Sequence, residues 1–328
     1  MKIAIVRLSA LGDIIQSMVV LQFIKKKFPN SSIDWIVDSQ FASILSGCNE
    51  IDNLIELNIK RIKKQKSFFL FYDVLRKLRR LEKYDKVFDF QGLVKSALVS
   101  RFIPAKERIG FDKNSIREKL ASTLYSHKFS IPYEENVIMR YTGMINKFLK
   151  INITKKDIDN KTSFFKNIKH RDSFSDTSIV LILGASFPSK IYPVENYAEI
   201  ANSINARFVA IWGSDKEKKM ALKLVSNSKN VTLAKKLSLN ELKELISTAD
   251  LVIGGDTGPT HLAWALNVPS ITIFGSTPME RNCYRTRINL GISAQKITNP
   301  FNINRIDSSI RGIDPKNIVK LAIRLLKE

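Results

Sequence analysis

The sequence predicts an α/β protein of two domains, each with a mostly parallel sheet, facing a shared central cleft. Three observations predict it. Strand-length apolar runs alternate with helix-length amphipathic segments along the whole chain, the pattern of parallel sheets covered by helices. A polar, lysine-rich stretch of weak periodicity, 152–176, interrupts that alternation, which restarts at Ser178. Each half also contains an apolar strand feeding a glycine turn and a helix start. Such turns present unpaired backbone N–H groups to a phosphate.

In the first half Ile3–Val6 is a strand, followed by the turn Ser9-Ala10-Leu11-Gly12-Asp13 and a helix over Gly12–Lys27 that Pro29-Asn30 ends. Ile33–Val37 is the second strand, so the chain opens as βαβ. Phe68–Lys83 reads as a helix and Lys86–Phe90 as a strand. After Gln91-Gly92 comes a helix over Leu93–Arg101, then a short strand-like edge at Ile109-Gly110 and a helix over Val137–Leu149. The stretch 152–176 is expected to be the linker, which gives domains of 1–160 and 177–328.

In the second half Ser178–Leu183 is a strand ending at Gly184, with a helix over Val194–Ile204 behind Pro193. Ala206–Trp212 is a strand ending at Gly213, and Asp215–Ser226 a helix. A short strand at Val231-Thr232 and a helix over Leu239–Thr248 lead to the strand Leu251–Ile253. Next come Gly254-Gly255-Asp256-Thr257-Gly258-Pro259-Thr260-His261, a helix over Pro259–Leu266, and the strand Ser270–Phe274 ending at Gly275. Pro315–Lys327 closes the chain as a helix. Ligands of open parallel sheets sit beyond the carboxyl ends of the strands, so the glycines at 184, 213, 254 and 275 are expected to leave room for a nucleotide there.

At 328 residues, with 44% hydrophobic and 26% charged side chains, the chain has material for two soluble cores. Cys48 and Cys283 are far apart with no CxxC spacing, which suits a reducing compartment and argues against a disulfide framework or structural zinc. Asp13 and Gln16 interrupt the first apolar stretch, so strand, turn and helix are expected there rather than a signal peptide. No apolar run reaches the roughly 18 residues a membrane span needs. Neither GxGxxG after a strand nor GxxxxGK[ST] occurs, so hydride transfer on NAD and ATP hydrolysis lack their usual signatures.

The formal net charge of +22 points to an anionic partner: nucleic acid, an anionic lipid surface or a phosphorylated substrate. Part of it follows from a composition rich in Lys, Asn and Ile, as genomes rich in A and T favour. The charge is also clustered. Basic residues at 60–66 and 76–80 flank the aromatic run 68–72, which suits an anionic headgroup region and equally suits an amphipathic helix with a solvated basic face. A nucleic-acid-binding module is the reading from another class, but no RRM signature or helix-turn-helix cue supports it.

Ser9-Ala10-Leu11-Gly12-Asp13 and Asp256-Thr257-Gly258-Pro259-Thr260-His261 together resemble the lipopolysaccharide heptosyltransferases, glycosyltransferase family 9, over essentially the whole chain. The segments 89–96 and 117–122 resemble the heptosyltransferase I branch, which adds the first heptose to Kdo. The resemblance implies a GT-B fold of two Rossmann-like domains, an acceptor domain at 1–160 and a donor domain at 177–328, with the last helix packing back on the first domain. It implies inverting transfer of L-glycero-D-manno-heptose from ADP-heptose to the Kdo of Kdo-lipid A, in the cytoplasm and peripheral to the inner membrane. Transfer to a later heptose of the core is the alternative within the family. The chain departs from the family where Ile191-Tyr192-Pro193 replaces a Trp before Pro, and where a hydroxyl pair is reduced to Ala185-Ser186.

By the resemblance Asp13 is the general base that takes the acceptor proton; from the residues alone a helix cap is the simpler reading. Lys190 is the cation expected to stabilise the leaving ADP. The expected donor contacts are Ala185, Ser186, Lys190, Glu217 on the ribose, Leu237 near the adenine, Asp256, Thr257, Gly258 and His261. The expected acceptor contacts are Ser9, Gly12, Arg61, Lys64, Gln91, Lys95 and Arg117, since arginine grips anionic groups through paired bonds. No cluster of His, Cys, Asp and Glu has metal-ligand spacing, so no cofactor and no metal ion are expected.

Overall fold

The computed structural model describes residues 1–65, 68–165, 177–294 and 298–327, which divide into two compact units, Met1–Lys166 and Asn167–Glu328. The first unit runs β1 (Lys2–Val6), α1 (Leu11–Ser17), α2 (Val19–Lys27), β2 (Ser32–Asp38), α3 (Ala42–Leu45), β3 (Asn53–Leu57), α4 (Ile59–Gln65), α5 (Phe68–Arg79), β4 (Tyr84–Asp89), α6 (Val94–Phe102), β5 (Ala105–Phe111), β6 (His127–Phe129), α7 (Val137–Leu149) and α8 (Lys155–Asp159). The second runs β7 (Ser178–Ile182), α9 (Val194–Ser203), β8 (Arg207–Ile211), α10 (Asp215–Asn227), β9 (Val231–Leu233), α11 (Leu239–Ser247), β10 (Leu251–Gly255), α12 (Gly258–Ala265), β11 (Ser270–Phe274), α13 (Met279–Asn282), β12 (Asn289–Ser293) and α14 (Pro315–Lys327).

Among the described residues each unit holds one six-stranded sheet, with orders β3-β2-β1-β4-β5-β6 and β12-β11-β10-β7-β8-β9. Every pairing is parallel. The two orders are the same topology read from opposite ends. Strand order reverses between β1 and β4 in the first unit and between β7 and β10 in the second, and such switch points open a crevice at the carboxyl ends of the strands. The central strands are buried along almost their whole length because helices cover both faces: β7 and β10 are fully buried, and β1 is buried after Lys2.

Several expectations need correction. The first helix is two, because Met18 ends α1 and begins α2. Strands β3, β6 and β12 and helix α4 were not foreseen. The front of the stretch 152–176 is not linker. Thr154 caps α8, its hydroxyl accepting the Asp157 N–H while the Asp157 carboxylate accepts the Thr154 N–H. Ile158, Phe164 and Phe165 are buried, and 166–176 lies outside the described residues. Helix α14 lays Ile318, Ala322 and Leu325 into the core of its own unit. No helix among the described residues is long and apolar enough to cross a membrane.

Candidate functional site

In the first unit the backbone of β1 continues past the sheet into Arg7, whose side chain is almost wholly buried. Its guanidinium donates from Nη1 to the Phe90 carbonyl (2.6 Å) and from Nη2 to Asp13 Oδ2 (2.7 Å), and it lies 5.8 Å from the centre of the Tyr141 ring. Burial works against that charge, but the Asp13 carboxylate and its neighbours outweigh burial and raise the Arg7 pKa above the usual arginine value. Asp13 is the third residue of α1, with Ala10 as N-cap. Its side chain is 39% exposed and its weak bond from Ala10 N is 3.4 Å long. The carboxylate is therefore held by a buried cation and keeps access to solvent; the cap is a minor part of its environment.

Across the switch point, β4 ends in Asp89, which is fully buried. Its Oδ1 accepts the N–H groups of Gln91 (2.8 Å) and Gly92 (3.2 Å), and its Oδ2 accepts the Tyr125 hydroxyl (2.7 Å). Burial pushes the Asp89 carboxyl up, against these bonds. Gly92 sits at φ +66, and a Cβ there would meet Ile116 Cγ2 at 2.7 Å, so the turn requires glycine. The turn aims Gln91 at the β1 loop: Oε1 accepts Leu8 N (3.0 Å) and Nε2 donates to Ser9 Oγ (3.2 Å), where Lys95 Nζ also arrives (3.3 Å). Glu118 accepts the Val94 N–H (2.7 Å), which ties the segment carrying exposed Arg117 to the start of α6.

Ser9, Gln91 and Lys95 thus meet at one point, with Asp13 and Gly12 in the adjoining helix turn. Arg61 is exposed at the start of α4, beyond β3, its N–H bonded to Asn58 Oδ1. The Lys64 side chain lies outside the described residues.

In the second unit Lys190 follows β7 and Asp256 follows β10, again on the two sides of the switch point. Lys190 Nζ is 2.8 Å from Asp256 Oδ2, and His261 Nε2 is 2.9 Å from Asp256 Oδ1. Asn282, on α13, donates to Asp256 Oδ2 at 3.2 Å. Burial pushes the Asp256 carboxyl up, but Lys190 and His261 outweigh it and hold it well below the usual carboxylate range. Both of its oxygens face protein partners, so its role in this geometry is to fix Lys190 and His261. Lys190 keeps 13% of its side chain exposed and its ammonium lies 5.1 Å from the Phe187 ring centre.

At the four strand-end glycines a Cβ would crowd neighbouring groups of the chain. A Cβ on Gly275 would stand 2.3 Å from the Ser189 carbonyl, and one on Gly254 would meet Ile182 and Thr260. Gly184 and Gly213 are covered by the Glu217 carboxylate. Gly255, one residue on, admits the Lys190 carbonyl at 2.6 Å from its own missing Cβ. The room is filled by the chain itself, which packs the segment 188–190 across β10 and β11. The Ser189–Ser276 hydroxyl contact (2.6 Å) and Ser189 N to Arg305 O (3.2 Å) pin that segment.

Thr257 is the N-cap of α12, with Pro259 in its first turn. Thr257 and Gly258 are half-buried, beside the buried pair at Asp256. Glu217 is the third residue of α10 and accepts from Gly213 N (2.6 Å) and Ser214 N (3.0 Å), a reciprocal cap. Leu237 is half-buried before α11, Ala185 half-buried and Ser186 exposed after β7. Tyr192 donates to the Ile313 carbonyl (2.6 Å) and packs edge-on against Tyr197; its role is in the core.

Sequence reasoning missed Arg7, Asp89 and Asn282. A charged residue continuing the apolar run Ile3-Ala4-Ile5-Val6 was a usable signal for Arg7. Asn282 reaches Asp256 from 26 positions away and has no local signature.

A family model described as glycosyltransferase family 9 (heptosyltransferase) matches residues 72–299. The chain is 41% identical to lipopolysaccharide heptosyltransferase 1 of Campylobacter coli, over 99% of both chains. Its fold is similar to that of the E. coli heptosyltransferase WaaC with ADP, at TM-score 0.81 and 24% identity, covering 99% of this chain and 100% of that one. The same enzyme with ADP-2-deoxy-2-fluoro heptose gives TM-score 0.78 at 23% identity over 99% of both. The two sheets and these matches agree: the chain belongs to glycosyltransferase family 9, the heptosyltransferases.

Proposed function

We propose that this heptosyltransferase moves L-glycero-D-manno-heptose from ADP-heptose to the Kdo of Kdo-lipid A, with inversion and without a metal ion, at the cytoplasmic face of the inner membrane. The observation that carries the reading is the full-length identity to a lipopolysaccharide heptosyltransferase 1. The geometry supplies the chemistry. Asp13 takes the proton of the acceptor hydroxyl as that oxygen attacks the anomeric carbon, and ADP leaves with the electron pair of the bond it breaks. Arg7 orients the carboxylate: its buried guanidinium, fixed by the Phe90 carbonyl through Nη1, donates from Nη2 to Asp13 Oδ2. Ser9, Gln91, Lys95 and Arg117 hold the anionic acceptor, with Gly12, Arg61 and Lys64 contributing to the same surface.

Lys190 meets the diphosphate, where negative charge develops, and the N–H groups of Thr257 and Gly258 at the start of α12 add to it. Ala185 and Ser186 line the approach, Glu217 holds the ribose, Leu237 lies by the adenine, and Asp256 and His261 keep the cation in place.

The test is incubation of the purified chain with ADP-heptose and Kdo-lipid A lacking heptose, read by mass analysis of the lipid. A product heavier by one heptose is expected. No product there, with product on an acceptor already carrying heptose, favours transfer to a later sugar. Among the described residues no group of three His, Cys, Asp or Glu side chains is arranged to hold a metal, and Lys190 with the α12 terminus supplies the positive charge a metal would. Transfer is therefore expected to persist in EDTA; loss of activity restored by magnesium overturns the metal-free mechanism.

A further inference from the structure

Helix α5 has two faces of different chemistry. Leu78 is fully buried, and Val74 and Leu81 pack with it against the cluster that contains Ile36, Val99 and Ile103. At 3.6 residues per turn, Phe69, Tyr72 and Arg76 share the opposite face, and exposed Arg80 follows directly after the helix end. Phe69 is 81% exposed and Tyr72 53%, and Phe69 is the most exposed aromatic ring among the described residues. Neither ring is needed by the core, which the other face already serves.

The charge on this helix is also sorted by direction. Arg79 turns sideways to stack on Phe102 (4.9 Å), and Lys77 bonds the Glu56 carbonyl (2.9 Å). Arg76 and Arg80 are exposed. Asp73, Arg76, Lys77, Arg80 and Leu81 line a shallow open depression, three cations to one carboxylate, which suits a phosphate. Helix α4, just before, adds exposed Lys60.

We propose that the outer face of α5 docks on an anionic bilayer, with the Phe69 and Tyr72 rings in the headgroup region and Arg76 and Arg80 on lipid phosphates. Aromatic rings prefer the boundary between hydrocarbon and water, and cations beside them are drawn to anionic lipid. Charge complementarity and the exposed rings commit the face to a lipid surface rather than to a second copy of the chain, since two such basic faces repel. The inference rests on the reading that the acceptor is a membrane lipid, and it names the surface that would bring the enzyme there.

The full chain is mixed with phosphatidylglycerol-containing vesicles that carry no Kdo-lipid A, and the bound fraction is read by flotation; phosphatidylcholine vesicles are the comparison. Binding to the anionic vesicles is expected, about tenfold weaker in Phe69→Ser/Tyr72→Ser and in Arg76→Gln/Arg80→Gln. Transfer to a deacylated, water-soluble Kdo acceptor is expected to stay unchanged in both variants. Equal binding of both variants and wild type overturns the proposal, as does equal binding to neutral vesicles. A Phe69→Ser/Tyr72→Ser variant that turns a dimer into a monomer, with vesicle binding unaltered, overturns it in favour of a second copy. Wild-type vesicle binding with the loss seen in both variants, but no transfer to any Kdo acceptor, supports the docking surface and removes the acceptor reading instead.

Discussion

Asp13→Ala is expected to slow heptose transfer by more than 100-fold, about 3 kcal/mol in the barrier, while ADP-heptose still binds. The acceptor hydroxyl must lose its proton as it attacks, and Asp13 is the half-exposed carboxylate beside the β1 turn. Its partner Arg7 is buried, so removing the carboxylate also leaves a cation with one fewer partner, which costs stability. Asp13→Asn separates the two effects. The amide keeps an oxygen for Arg7 and much the same shape, yet cannot take a proton. Equal loss of turnover in both variants, with unfolding midpoints near wild type for the amide, identifies the base. Wild-type turnover in Asp13→Asn removes Asp13 from the chemistry and leaves it a partner of Arg7.

The second large effect is at Lys190. Lys190→Met is expected to reduce turnover by about 10²- to 10³-fold, the usual cost of losing one preorganised group that meets developing negative charge. It is also expected to lower stability at pH 7 by about 3 kcal/mol, because Asp256 is left buried with only His261 and Asn282. The pH dependence follows from the depressed Asp256 carboxyl. Above the ordinary value of 3.8 the wild type has the full benefit of the ion pair, and it loses that benefit as pH falls toward the lower folded value. In Lys190→Met there is less to lose. Denaturant curves of the two proteins should therefore lie furthest apart near neutral pH and approach each other below about pH 4. Lys190→Arg keeps a cation and should recover most of the stability. A Lys190→Met enzyme with wild-type turnover would show that the cation serves the fold alone.

The alternation of strands and helices was legible because apolar periodicity is local and strong in the buried strands. The parts that escaped have physical reasons. Strand β12 and strand β6 lie at sheet edges and are partly exposed, so Asn289–Ser293 and His127–Phe129 lack a continuous apolar run. Helix α8 is short and polar, held by the Thr154 cap and by Ile158, and composition alone resembles a linker there. The glycine turns were recognisable, but their purpose was not. Gly275 and Gly255 serve the close approach of Ser189 and Lys190, residues more than sixty positions away in the chain.

The sequence by itself determined the α/β alternation, the two glycine turns, the absence of long apolar spans and the family, since each is written in contiguous residues. Only the tertiary structure decided that Arg7 holds Asp13, that Asp89 aims Gln91 at Ser9, and that Asp256 is a buried partner of Lys190, His261 and Asn282. The physical reason is that a charge becomes costly or useful according to what surrounds it. Those surroundings come from separate strands that only the sheet order brings side by side.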